Sequence, residues 1–147
     1  MSSGPQNAPQ APRPLAMLLC DTATQDAATG KCNILGTFDA CAATQFPANI
    51  KLGVFIVLTD CRGNHMMRLR LVKAAQDEVN DTMIVEATVE VKSADPLQDI
   101  PIPLEFRGPI PEPGVYYLQL LDGNDDAPLI ERRLSVKLKP APAPPEQ

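Results

Sequence analysis

The sequence predicts an all-β fold: a single antiparallel β-sandwich of about eight strands, immunoglobulin-like, with disordered Pro/Ala-rich tails. Three observations carry that expectation. Apolar residues recur with a period of two through most of the chain, and no segment holds a helical stripe. Turn-forming residues punctuate the alternating runs at the short spacing typical of sandwiches. Half of the sixteen prolines lie in the two termini, MSSGPQNAPQAPRP at 1–14 and PAPAPPEQ at 140–147, which offer almost nothing to bury. Ala/Pro-rich segments of this kind sample polyproline II and do not offset the entropy of being ordered. The expected organisation is a disordered arm over 1–14, a sandwich over 15–139 and a disordered tail over 140–147.

In chain order, strands are expected at 15–20, 32–38, 50–59, 66–73, 82–92, 98–107, 115–122 and 129–138. The first two, LAMLLC and CNILGTF, carry Cys20 and Cys32, which flank the first loop and could face each other across a hairpin, as buried thiols behaving like small hydrophobes in a reducing setting. The third is apolar on both parities, with Ile50, Leu52, Val54, Ile56 and Leu58 on one and Phe55 and Val57 on the other, which predicts a central strand. In the fourth, Met67, Leu69 and Leu71 face inward while Arg68 and Arg70 face out. The fifth places Met83, Val85, Ala87, Val89 and Val91 inside and Glu86, Thr88 and Glu90 outside. Pairing these two as a hairpin across Gln76–Asp81 sets Arg68 opposite Glu86 if Leu71 faces Met83, an exposed pair that fixes register more than stability. In the sixth strand, Pro101 and Pro103 alternate with inward apolar residues, and two missing donors suit only a sheet edge. The seventh opens with Gly114-Val115-Tyr116. A tyrosine there, two residues after a glycine, looks like the tyrosine corner of immunoglobulin-like sandwiches, with Leu118 where antibody domains carry cysteine. The eighth strand, over 129–138, returns beside the seventh.

Composition excludes several functions. A formal charge of −5 disfavours a phosphate-binding surface, and six aromatics leave little on which to stack bases, so no nucleic acid partner is expected. No apolar run reaches the roughly 20 residues of a membrane span, and no signal peptide is visible. Four cysteines without a C-x-x-C spacing fit a reducing, cytoplasmic setting.

Chemistry-bearing residues are few, and no cofactor or small-molecule ligand is expected. Cys61 and His65, in the run CRGNH, are the one pair that invites comparison with a nucleophile and its base, but no orienting group or oxyanion site accompanies them. The run Asp122-Gly123-Asn124-Asp125-Asp126 opens like a calcium loop, yet Ala127 stands at the sixth position and Arg133 at the twelfth, which excludes an EF-hand. Asp122, Asp125 and Asp126 remain metal candidates only as pooled carboxylates, with a solvated hairpin tip as the plainer reading. The strongest functional expectation is a surface. Tyr117, Gln119, Leu121, Leu129, Glu131 and Arg133 share the outward parity of the last two strands, an apolar patch with a polar rim such as a protein partner or a second copy would use.

The order of LAMLLCD at 15–21, TGKCNILGTFD at 29–39, FPA at 46–48, LTD at 58–60 and PEPGVYYLQLLDG at 111–123 resembles a family of small uncharacterised bacterial proteins, a domain of unknown function. The resemblance implies an immunoglobulin-like β-sandwich and a bacterial source, and it brings no activity, ligand or catalytic residue with it.

Overall fold

A computed structural model describes residues 11–74, 82–123 and 125–140. The tail residues 1–10 and 141–147 and the expected loop Gln76–Asp81 lie outside the described residues. Nine strands appear among the described residues: β1 (Arg13–Gln25), β2 (Cys32–Thr37), β3 (Ala40–Ala43), β4 (Ala48–Thr59), β5 (Gly63–Lys73), β6 (Thr82–Ser93), β7 (Ile100–Ile110), β8 (Gly114–Asp122) and β9 (Ile130–Leu138). They form two sheets, ordered β2-β1-β4-β7 and β3-β9-β8-β5-β6. No helix among the described residues is long and apolar enough to cross a membrane.

Alternation builds one core between the sheets. The inward parity of β4 supplies Leu52, Val54, Ile56 and Leu58, β1 supplies Met17 and Leu19, and β7 supplies Phe106 and Ile110. From the opposite sheet come Met67, Leu69 and Leu71 of β5, Tyr116, Leu118 and Leu120 of β8, and Leu134 and Val136 of β9. Each buried side chain of this size stabilises by about 1.5–3 kcal/mol relative to exposure. As expected, β4 is central, hydrogen-bonded to β1 on one side and β7 on the other. The proline-bearing β7 is an edge strand, where missing donors are tolerated.

Several expectations are corrected. The first strand starts two residues ahead of the expected 15–20: β1 begins at Arg13, paired with Thr59, and Pro12 before it is buried. β1 also runs five residues past Cys20, so its hairpin turn is Asp26–Lys31 and Cys20 lies opposite Thr37 while Cys32 lies opposite Gln25. The two thiols therefore do not face each other; all four cysteines are free, as a reducing setting implies. β3 escaped the pattern because four residues, ACAA, carry no readable period. It pairs parallel with β9, so the second sheet is not wholly antiparallel.

The β5–β6 hairpin forms, but a bulge at Leu71/Val72 sets Leu71 opposite Val85 and Val72 opposite Met83. The extra residue is Ile84, which packs against the core while Met83 is exposed. A bulge inserts one unpaired residue and so exchanges the faces beyond it. Arg68 lies opposite Thr88, and its ion pair with Glu86 is made diagonally, Nη1 to Oε2 at 3.2 Å.

Between β2 and β3 the chain crosses from one sheet to the other. Phe38 N–H donates to Leu19 in the first sheet at 3.0 Å, and the Asp39 carbonyl accepts from Ser135 N–H in the second at 2.9 Å. Gly36, at φ 69°, prepares the crossing, since a Cβ there would run into the Asp21 carboxylate.

Candidate functional site

Register arranges the outward side chains of β9, β8 and β5 in three rows. Arg133, Tyr117 and Val72 form the first, Glu131, Gln119 and Arg70 the second, and Leu121 with Arg68 the third, next to Leu129. The six residues expected to form a patch are thus brought to one face. They differ in what they offer to a partner.

The middle row is a closed polar chain. Arg70 Nε donates to Gln119 Oε1 at 2.7 Å, and Gln119 Nε2 donates to Glu131 Oε2 at 2.8 Å. Gln119 is buried with a partner at each of its side-chain polar atoms, and contributes no free surface. The third row is covered. Arg68 Nε donates to the Gly123 carbonyl at 2.6 Å and its Nη2 to the Asp125 carbonyl at 2.5 Å, while Arg70 Nη2 reaches the Asp126 carbonyl at 3.4 Å. Arg68 is the cross-strand partner of Leu121, so its apolar stem and the gripped β8–β9 loop close over that leucine, which is fully buried. Leu121 is thus withdrawn from the expected patch, and Leu129 is half-buried.

What remains accessible centres on Tyr117. It lines a hollow of about 410 Å³ with Asp39, Glu131, Arg132 and Arg133. It also lines a second, of about 460 Å³, with Lys73, Glu112 and Val115 among its neighbours. Asp39 and Arg132 were not foreseen. Asp39 arrives through the unrecognised β3, and Arg132 stands on the inward parity of β9 opposite Leu118, yet is exposed.

Cys61, His65 and Asp122 converge at the other end of β8. His65 lies inside β5 rather than in a turn, paired with Val91 and buried. Its Nδ1 meets Asp122 Oδ1 at 3.2 Å and its Nε2 the Arg62 carbonyl at 3.1 Å. Both ring nitrogens thus face oxygens, Asp122 Oδ1 and the Arg62 carbonyl, while the Cys61 thiol is directed at the Gly63 carbonyl. Burial, with the Asp122 charge second, pushes the Cys61 thiol pKa up, opposite to what a thiolate nucleophile requires. The His65–Asp122 contact ties the start of β5 to the end of β8. Among the described residues no three His, Cys, Asp or Glu side chains are grouped to hold a metal ion, so Asp122, Asp125 and Asp126 do not form a cage.

The class of protein defined here is a two-layer, all-β domain with a mixed-charge face around one tyrosine. No curated protein matches the chain. A family model described as a family of unknown function, DUF6941, matches residues 15–137, and the chain belongs to that family.

Proposed function

We propose that this is a cytoplasmic, bacterial, non-catalytic module of immunoglobulin-like character that binds protein, a partner or a second copy, through the face around Tyr117. The observation that carries the reading is that one half-buried tyrosine lines two adjoining hollows and is rimmed by the exposed charges Glu131 and Arg133. An amphipathic ring in a charged surround is the composition of an interface centre. The immunoglobulin-like character is supported by Tyr116, whose hydroxyl donates to the Glu112 carbonyl four residues upstream at 2.5 Å, the tie of a tyrosine corner. Size exclusion with light scattering at micromolar concentration tests the self-association form. A mass above that of one chain, lowered by Tyr117→Glu, is expected; a clean monomer unchanged by that substitution removes it.

A further inference from the structure

The edge of β9 is only half covered. β3 pairs with Ser135–Leu138 and stops, so among the described residues no strand lies beside Ile130–Leu134 on that side. The 410 Å³ hollow is lined by Asp39, just ahead of β3, and by Glu131, Arg132 and Arg133 of this bare stretch. Backbone polarity at this open edge follows from its paired half. Ser135 N–H donates to the Asp39 carbonyl and Lys139 N–H to the Ala43 carbonyl, so odd-numbered residues of β9 address β3. By the strict alternation of a strand, Glu131 and Arg133 present their N–H and C=O groups to the gap. No proline interrupts this stretch, whereas the β7 edge carries Pro101, Pro103 and Pro109.

Charge then selects an occupant. Residues 130–139 hold Arg132, Arg133, Lys137 and Lys139 against Glu131, a net +3 in a chain of −5. None of these four cations takes part in an ion pair among the described residues. Two carboxylates also line the hollow. That of Glu131 accepts from Gln119, and Asp39 sits at the β3 end, which directs an incoming acid away from β3 and toward Arg132 and Arg133.

We propose that the open edge of β9 takes up an acidic, extended segment of a partner protein as an added strand. This rests on the interaction reading above and specifies its partner. Alternate residues of a strand point to opposite faces, so two consecutive acidic residues meet Arg133 on the outer face and Arg132 at the mouth between the sheets. Carboxylate–guanidinium bonds add to the backbone pairing and set its register.

The test is a titration of the ¹⁵N-labelled full chain with the blocked hexapeptide Thr-Val-Asp-Glu-Val-Thr. Amide shifts centred on Glu131 and Arg133 are expected, with about tenfold weaker binding of the Asn-Gln counterpart. The double variant R132E/R133E, altered only at exposed side chains, loses the acidic peptide and gains its Lys-Lys counterpart. Absence of binding, which a purely protective role for edge arginines predicts, overturns the proposal. So do equal affinity for the amide peptide, shifts elsewhere on the surface, or concentration-dependent shifts at the same amides without peptide, which assign the edge to a second copy. If the peptide fails while Tyr117→Glu still changes the mass in solution, only strand addition falls. If both are silent, the self-association form of the interaction reading falls with it.

Discussion

Tyr116 combines two roles in one side chain. Its ring is wholly buried in the core, and its hydroxyl satisfies the Glu112 carbonyl across the turn that launches β8. Tyr116→Phe keeps the ring and strands the carbonyl, at a cost of about 1 kcal/mol. Urea unfolding should show a lower midpoint with an unchanged slope. This role was legible in the sequence, because the glycine–tyrosine spacing after a proline-rich turn is local. Leu121 shows the opposite case. Parity places it correctly on the outer face, but its burial depends on arginines from β5 gripping a loop more than fifty residues away in sequence, which no local pattern encodes.

At the scale of elements, the β8–β9 loop is held by guanidinium groups donating to its carbonyls. Arg68→Ala removes both guanidinium bonds to the loop carbonyls and should release it, speeding exchange of the Gly123 amide, which donates to the Met66 carbonyl, by about tenfold or more, since even one charge-assisted bond is worth that much. Arg68→Lys should not restore protection, since one ammonium cannot reproduce the fork that reaches two carbonyls and Glu86. The same cations offset the charge of the loop's carboxylates, and the expected outcome is no gain from calcium. A thermal melt in millimolar calcium should match one in chelator, and a raised midpoint would restore Asp122, Asp125 and Asp126 as ligands. All eight expected strands exist because each is a run of six or more residues with apolar side chains at about every other position or more often. Where the pattern failed, the causes were a four-residue strand stabilised only by its partner, and the bulge that turns Met83 outward.

The molecule as a whole should be sensitive to alkali. Burial, with nearby Asp21 and Asp122 respectively, raises the Cys20 and Cys61 pKa values above 9.0, and burial alone raises that of Tyr116 above 10.0. In each case the folded state holds its proton more tightly than the unfolded chain. The unfolded chain ionises first, so the associated stability is complete below about pH 9 and is lost as pH rises through the folded values. Denaturant midpoints should fall from about pH 9 upward, and Cys61→Ala should flatten part of the slope. Charge is also unevenly spread at this scale: the β9 segment is cationic on an anionic molecule, and the net charge alone concealed it.

The crossing between β2 and β3 has a mechanical consequence. Phe38 and Asp39, adjacent in the chain, are bonded to opposite sheets through Leu19 and Ser135. Neither layer can peel away without straining the other within a single peptide unit. The two layers should therefore open as one cooperative body, with the Phe38 and Ser135 amides exchanging at the same free energy; separate exchange energies would show two independently opening halves. A connection too short to register as sequence pattern thus acts as a rivet through the sandwich.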